Sequence, residues 1–214
     1  RAARAEAAGQ PLRRLARITE GAGSVCFRSP SCLVDMLSFH VVRPAHPMRP
    51  AHNGSMHVHY DTEKFYYGFP VYILAYPDEE VGVGITTGSS SYSLGQMVMI
   101  GCDSTTHAAR SIKRSGVCSL NLFGAEAMGL FEYAGTVSGG NKLADAHIPS
   151  SDHDGIPVLD DSQMSLVCRV LEATDDGTYT HFRCEVMARL VDADLIDDRG
   201  RFRYEELRTA EYVG

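Results

Sequence analysis

Two long segments of alternating side chains flank an Asp-Asp-Gly turn near the end of the chain. They run over 164–174 and 178–190, and the turn is Asp175-Asp176-Gly177. Asp-Gly is a strong signal for a tight β-hairpin, because glycine readily adopts the positive φ that such a turn requires. Leu166, Cys168 and Val170 fall on one face of the first segment, which is the two-residue period of a half-buried strand. In the second segment Phe182, Cys184 and Val186 alternate with Arg183 and Glu185. The pattern predicts a long antiparallel hairpin.

Four shorter apolar segments precede this hairpin, and each is rich in residues that favour strands: 70–76, 81–87, 96–102 and 117–123. A helix is predicted over 106–114, with Ser104 or Thr105 as its N-cap and Gly116 just beyond its end. A second helix is predicted over 125–133. Six closely spaced strands with only two short helices favour a mainly β fold, an antiparallel barrel. The Gly-, Ser- and Asp-rich segment 135–155 is expected to be too polar for the core.

Charge and length exclude several classes of function. The 214 residues fit one domain, and the net charge is -7. Residues 1–60 carry eight arginines and three acidic residues, so the negative charge lies in the remainder. An acidic folded part argues against a nucleic-acid groove, which needs clustered Lys and Arg. No apolar run approaches the ~18 residues of a membrane helix, so no membrane association is expected.

The first part of the chain differs in composition from the rest. Residues 1–55 are rich in Arg and Pro and lack a regular apolar period. We therefore predict an extension with little fixed structure, followed by one domain over 56–214. Met56 is a plausible natural start. The alternative is an organelle transit peptide, which shares the Arg-rich, acid-poor composition.

The six cysteines contain no C-x-x-C pair, and four of them lie in apolar, strand-like segments. Free thiols in such segments behave as small buried hydrophobes, which predicts a reducing, cytoplasmic location. A metal site is not expected. His52, His57 and His59 look like a ligand set, but they lie in a Pro- and Ala-rich segment without periodicity.

Two segments crowded with small donors are separated by one apolar strand. The first is predicted to be a loop over 86–93, and the second covers 104–107 and opens the predicted helix. Backbone N–H and hydroxyl groups can converge on an anion in such places, and a helix start adds the positive end of its dipole. The simpler alternatives are a solvated hairpin loop for the first segment and plain N-capping for the second.

Several short motifs follow one another in a set order after residue 65. The Thr/Ser-rich segment GITTGSSSYS precedes an apolar strand that ends in Cys102-Asp103-Ser104-Thr105-Thr106-His107. Then come Ser-Gly and a Val-x-x-Leu-Asn-Leu strand at 115–122, Ser138-Gly139-Gly140-Asn141-Lys142-Leu143, and Thr180-His181-Phe182-Arg183-Cys184-Glu185-Val186. Over about 65–212 the chain resembles the flavin reductase-like branch of the FMN-binding split-barrel proteins, which includes the flavoredoxins. It departs from them at Gly95-Gln96 (Pro-Pro is common there), in the Asn-Lys-Leu segment (Asp-Lys-Phe), and at Tyr179 (often His).

This resemblance implies a six-stranded antiparallel split β-barrel with two short helices that binds FMN. It also implies that NAD(P)H donates a hydride to the flavin and that electrons leave to free flavin, an oxygenase partner or another acceptor. A homodimer is implied, with the flavin near the interface. The chemistry belongs to the cofactor, so no nucleophile and no proton relay are expected. The candidate FMN contacts are Ile85, Thr86, Thr87, Ser89, Ser90, Ser91, Tyr92, Ser104, Thr105, Thr106, His107, Asn141 and Lys142.

Two other interpretations stay open from the sequence. One is a non-catalytic flavin-binding or electron-carrier module, and the other is a barrel that has lost the cofactor and serves in interaction. Tyr179 and His181 alternate with core positions, so cross-strand packing is expected of them.

Overall fold

The computed structural model describes residues 39–41, 59 and 68–212, which belong to a compact unit that begins at Phe39. Its strands are β1 (Phe39–Val41), β2 (Phe69–Pro70), β3 (Tyr72–Asp78), β4 (Gly82–Gly88), β5 (Ser91–Leu94), β6 (Met97–Asp103), β7 (Val117–Leu122), β8 (Ser150–His153), β9 (Ile156–Leu159), β10 (Met164–Asp175), β11 (Tyr179–Val191) and β12 (Ala210–Tyr212). The helices are α1 (His107–Ser115), α2 (Met128–Thr136) and α3 (Lys142–Ala146). Short 3-10 turns cover Ala125–Ala127, Ala193–Leu195 and Tyr204–Glu206.

Seven strands form one antiparallel sheet in the order β4-β3-β7-β10-β11-β6-β5. Strands β8 and β9 form a separate hairpin, and β12 lies between β1 and β2 in a small third sheet. The six predicted strands are all present, as β3, β4, β6, β7, β10 and β11, and the predicted hairpin is the pair β10–β11. The prediction of a mainly β, antiparallel fold is confirmed.

The interpretation of 86–93 as a loop was wrong. Strand β4 continues to Gly88, and β5 pairs with β6 from Ser91↔Ile100 to Leu94↔Met97, so that only Ser89 and Ser90 lie between the strands. Strands β4 and β5 are the two edges of the sheet, where one side of the backbone and many side chains face water. An edge strand therefore tolerates the serines and threonines that suggested a loop.

The segment 135–155 is also more ordered than its composition suggested. It contains α3 and β8, and Leu143 of α3 is buried. The polar residues that dominate this segment lie on the outward sides of a five-residue helix and a hairpin, so one apolar residue is enough to anchor the helix.

One face of the sheet encloses the main core, which α1 closes. Alternate residues of β10 and β11 point into it, as predicted, and Ala108, Ala109 and Ile112 of α1 complete it. Four cysteines line the strands of this core and are free thiols: Cys102, Cys118, Cys168 and Cys184. Burial raises the pKa of Cys102 and Cys168 to about 12, so these thiols stay protonated and pack as hydrophobes.

Two tyrosines of β3 lie directly over glycines of β4. Tyr72 is paired with Gly88 and Tyr76 with Gly84. A Cβ atom on Gly84 would lie 2.3 Å from the Tyr76 ring, and one on Gly88 would lie 2.7 Å from the Tyr72 ring. The two glycines therefore leave the space that the tyrosine rings occupy, which explains why glycine interrupts this apolar strand.

Asn121 of β7 fastens the β8–β9 hairpin to the opposite face of the sheet. Its Nδ2 donates to the Ile73 carbonyl at 3.0 Å and to Ser119 Oγ at 2.9 Å. Its Oδ1 accepts from the Leu159 amide at 3.0 Å and from Ser165 Oγ at 2.8 Å. The side chain is fully buried, and β3, β7, β9 and β10 all contribute to its partners. A buried amide that uses both donors and both acceptors fixes the relative positions of these strands.

We expect Asn121→Ala to lower the free energy of unfolding by roughly 2–4 kcal/mol, because it leaves buried hydrogen-bonding groups without partners. Chemical denaturation at neutral pH measures this change. The matched variant Asn141→Ala removes an exposed cap of α3 and should cost about 1 kcal/mol. Equal losses for the two variants would contradict the role given to Asn121.

Candidate functional site

The corner between β4 and β5 lies against the end of β6. The Ser90 carbonyl accepts hydrogen bonds from the Tyr72 hydroxyl at 3.0 Å and from the Gly101 amide at 2.8 Å. Gly101 precedes Ser104 by three residues, and α1 begins at His107. The two donor-rich segments recognised in the sequence are thus neighbours at one corner of the fold, which we name the β4–α1 corner (residues 86–92 and 103–110).

The hydroxyl groups of the second segment bond within the protein. Ser104 Oγ lies 3.0 Å from Thr180 Oγ1, and Thr105 Oγ1 donates to Asp103 Oδ1 at 2.6 Å. Thr106 Oγ1 donates to the Asp103 carbonyl at 2.7 Å and accepts from the Ala109 amide at 3.2 Å. The N-cap of α1 is therefore Thr106, and the prediction of Ser104 or Thr105 was wrong, because those two side chains are engaged before the helix starts. The Gly116 C-cap is confirmed, with φ of 72°.

The side chains of the first segment are only partly engaged in hydrogen bonds within the protein, unlike those of the second. Thr87 Oγ1 donates to the Phe131 carbonyl of α2 at 2.6 Å, and the Ser91 side chain bonds to the Tyr72 hydroxyl. In the part of the chain that the structure describes, the hydroxyls of Thr86, Ser89 and Ser90 have no protein partner. Thr86 and Ser89 are half-buried and Ser90 is exposed, so all three can donate to a bound molecule.

Ile85, Asn141 and Lys142 meet at the edge of β4, away from the second segment. Lys142 Nζ donates to the Ala134 carbonyl at 2.7 Å and to the Ile85 carbonyl at 3.2 Å. Burial lowers the pKa of this ammonium group. Asn141 Oδ1 caps α3, while its Nδ2 lies 3.4 Å from the Val81 carbonyl. Lys142 ties α3 to α2 and to β4, Asn141 ties it to the residue before β4, and Lys142 keeps one N–H to offer a ligand.

A surface depression of about 420 Å³ lies beside these residues. Its lining comes from the start of β4, from α3 and from the segment that leads into β8: Val81, Gly82, Val83, Asn141, Leu143, Ala144, His147, Ile148 and Ser150. Asn141 is the candidate residue that it shares with the sequence prediction.

Asp78 is a site residue that sequence reasoning missed. It ends β3, and its carboxylate is almost completely buried beneath His107 and Ser111 of α1. Burial raises the pKa of Asp78, but hydrogen bonds from the Glu80 amide, His107, Ser111 and the Val81 amide outweigh it, so the pKa lies below its ordinary value. Asp78 and His107 are 29 residues apart, and no sequence spacing indicates that they meet.

Arg110 is the second residue that was missed. Its Nη1 donates to the Thr105 carbonyl at 2.5 Å. Lys113 and Arg114 of the same helix are paired with Asp175 and Glu79, whereas Arg110 has no acidic partner among the described residues. The i,i+3 spacing from His107 is a signal that places the two side chains on one helix face.

The β4–α1 corner carries donors of the kind that phosphate and ribityl groups need. The hydroxyls of Thr86, Ser89 and Ser90, which have no partner among the described residues, are neutral donors, and Arg110 is a positive charge. Asp103 works against an anion, since hydrogen bonds from the Thr105 hydroxyl and amide lower its pKa and keep it ionised. These two hydrogen bonds within the loop also partly offset the negative charge of Asp103.

The comparisons with known proteins identify the family. The model of the flavin reductase like domain matches residues 65–206, which is more than half of the chain. This chain belongs to the flavin reductase-like family. Membership supports flavin binding and a flavin-related oxidoreductase activity, as the sequence motifs had indicated.

Solved structures with the same fold include other flavin proteins. Flavoredoxin from Methanosarcina acetivorans has a TM-score of 0.63 at 17% identity, over 75% of this chain and 92% of its own. The FMN-binding protein from Thermus thermophilus with bound 1-cyclohex-2-enone has a TM-score of 0.61 at 18% identity, over 75% and 92%. The flavin reductase of styrene monooxygenase from Pseudomonas putida S12 has a TM-score of 0.53 at 16% identity, over 60% and 83%. No curated protein sequence is significantly similar to this chain.

The described residues bear on two further predictions, those about a membrane helix and a metal site. No helix in the described part of this flavin reductase-like chain has the length and hydropathy to traverse a bilayer. Among the same residues, no group of three or more His, Cys, Asp and Glu side chains is arranged to hold a metal ion. His52 and His57 lie outside the described residues, as does the 1–55 extension except for β1.

The lowered pKa of Asp78 predicts an acid-dependent loss of stability. A carboxyl whose pKa is lower in the folded than in the unfolded chain stabilises the fold above the ordinary value of about 3.9. That stabilisation decreases as the pH falls below about 4 and is lost as the pH passes through the lower pKa of the folded state. Asp78→Asn should cost about 1–3 kcal/mol at pH 7, and the difference from the wild type should shrink toward pH 3.

Urea denaturation at a series of pH values measures this difference. Asp160→Asn is the control, because the exposed Asp160 side chain makes no hydrogen bond or ion pair with the described residues. If the difference in unfolding free energy between the wild type and Asp78→Asn stays constant from pH 7 to pH 3, an ionised Asp78 is not its source.

Proposed function

We propose that this protein is an NAD(P)H-dependent flavin reductase that holds FMN at the β4–α1 corner. The proposal rests on two observations in a flavin reductase-like fold. Among the described residues, the hydroxyls of Thr86, Ser89 and Ser90 have no partner, and Arg110 of α1 has no acidic partner. When bound, FMN accepts a hydride and passes electrons on, and the protein supplies its binding and orientation.

The proposed contacts fall into groups according to the hydrogen-bond donors that each side chain still has available. Thr86, Ser89, Ser90 and Arg110 donate to the phosphate and ribityl groups, while Ser91 and the side chains of 104–106 shape the corner through their internal hydrogen bonds. Lys142 can reach the phosphate with its remaining N–H. His107 approaches the phosphate or the ring. Ile85, Thr87 and Asn141 fix the edge of β4, and Tyr92 covers the ring edge.

The proposed electron donor and acceptor are those that the family resemblance implies. A reduced nicotinamide nucleotide is the proposed donor, and free flavin, an oxygenase or another electron-transfer protein is the proposed acceptor. The flavin reductase of styrene monooxygenase shares this fold, which supports an oxygenase as one such partner. Four free thiols in the core favour a reducing compartment, and we propose the cytoplasm.

A homodimer is the proposed assembly. Tyr92 and Leu94 project from the same face of the edge strand β5 and are 58% and 67% exposed. Met187 and Tyr179 of β11 are also exposed, and the sheet order places β11 beside β6 and β5. Exposed aromatic and aliphatic side chains on an edge suit a second copy of the chain, and sedimentation equilibrium should find two chains per particle.

The experiment that tests the function is an anaerobic titration of the purified protein. It should bind added FMN in a saturable way, and NAD(P)H should then bleach the flavin absorbance near 450 nm quickly. The rival function, a flavin carrier, has the same site without a nicotinamide site. Bound FMN that NAD(P)H does not bleach would favour the flavin carrier. Failure to bind FMN would contradict both the reductase and the carrier function.

The double variant Thr86→Ala/Ser89→Ala tests the position of the phosphate. Each hydrogen bond to a charged group is worth about 1.5–3 kcal/mol, so FMN affinity should fall by roughly tenfold or more. Isothermal titration calorimetry with riboflavin separates the phosphate from the ring. Ser93→Ala, an exposed serine of β5, is the matched control. Equal FMN affinity in both variants would place the phosphate elsewhere.

A further inference from the structure

The Asp78 carboxylate is a prebuilt acceptor for His107, which belongs to the β4–α1 corner. Its side chain is 1% exposed. Oδ1 accepts from the Glu80 amide at 2.9 Å and the Val81 amide at 3.2 Å, and Oδ2 accepts from Ser111 Oγ at 3.0 Å and contacts His107 Nε2. Donors from the β3–β4 turn and from α1 thus hold one carboxylate in one orientation.

This contact orients the imidazole ring of His107. Nε2 faces the carboxylate, so the neutral ring carries its hydrogen on Nε2 and presents a lone pair at Nδ1. The side chain is 44% exposed, and Nδ1 has no hydrogen-bond partner among the described residues. Histidine acts as an acid or base in proteins when a buried carboxylate holds one ring nitrogen and the other ring nitrogen can reach a bound molecule.

Several titratable groups next to His107 or in the β4–α1 corner are unsuited to exchanging a proton near neutral pH. Burial raises the pKa of Tyr72, Tyr76 and Cys102 well above their ordinary values. The pKa of Asp103 is lowered by its bonds from Thr105. Histidine is the side chain whose ordinary pKa lies nearest to neutrality.

We propose that His107 is the proton donor of the site and that Asp78, with Ser111, is its positioning residue. The proposal rests on the proposed function, because hydride transfer from a reduced nicotinamide to a flavin consumes one proton besides the hydride. The imidazolium ring would give that proton from Nδ1 to the reduced flavin, the Nε2–H would stay hydrogen-bonded to Asp78, and solvent would return a proton to Nδ1. One hydride and one proton are consumed, and oxidised nicotinamide is released. This replaces the expectation that the site works without a proton relay.

Other charged groups act on the same ring. They lie in the turn after β3, at the end of β6 and on α1: Glu79, Glu80, Asp103, Arg110 and Arg114. Arg114 is paired with Glu79, and Asp103 is bonded to Thr105. Asp78 is the acid that touches His107, so its removal should alter the pH dependence of turnover more than removal of any of the others.

The test uses His107→Gln, because the glutamine amide can still donate to Asp78 but cannot carry a proton. We expect kcat for NAD(P)H oxidation to fall about 10²-fold or more, with KM and FMN affinity nearly unchanged. In His107→Ala, added imidazole should restore part of the rate. His181→Gln is the matched control, since His181 also contacts a carboxylate, Asp176 at 3.0 Å, but both side chains lie about half exposed on the hairpin. It should keep the wild-type rate.

A second measurement does not depend on activity. In the flavin-free protein at pH 8, the ¹⁵N chemical shifts of the His107 ring should show the Nε2–H tautomer, and Asp78→Asn should shift the ring toward a mixture of tautomers. A wild-type rate in His107→Gln, or an Nδ1–H tautomer in the wild type, would overturn the inference while the proposed function stands. Failure of the wild type to bind FMN would overturn the proposed function and this inference together.

Discussion

The hydrogen bond from the Tyr72 hydroxyl to the Ser90 carbonyl joins the two ends of the seven-stranded sheet. Tyr72 belongs to β3, next to the edge strand β4, and Ser90 directly precedes the opposite edge, β5. Burial raises the pKa of Tyr72, so its hydroxyl stays protonated and remains a donor near neutral pH. The bond depends on Gly88, because a side chain there would occupy the space of the Tyr72 ring. The candidate site exists because this closure lays the β4–β5 corner against the strand that leads into α1.

Most of the fold follows from local sequence patterns. The Asp-Gly turn and the alternation around Cys184 predicted the β10–β11 hairpin, and Gly116 marked the end of α1 because its positive φ suits glycine. The predictions of loops failed where a polar composition hid a strand or a helix. Strand β5 is rich in serine because it is an edge, and α3 needs one buried leucine to hold a polar segment in place.

The site was predictable in its segments but not in its partners. The order of the two hydroxyl-rich segments pointed to one corner, and the structure places Ser90 and Gly101 side by side there. Which hydroxyls remain available could not be read from the sequence, since that depends on whether Thr105 turns to Asp103 or Thr87 turns to Phe131. The contact between Asp78 and His107 was equally hidden, because it joins a hairpin turn to a helix start across the closed end of the core.

A crystal structure of the protein soaked with FMN tests the central claim most directly, because it locates the phosphate. The account predicts the phosphate within hydrogen-bonding distance of Thr86, Ser89 or Ser90 and close to the Arg110 guanidinium, with His107 Nδ1 facing the bound flavin. Flavin density elsewhere on the barrel, or a β4–α1 corner that stays empty at saturating FMN, would contradict it.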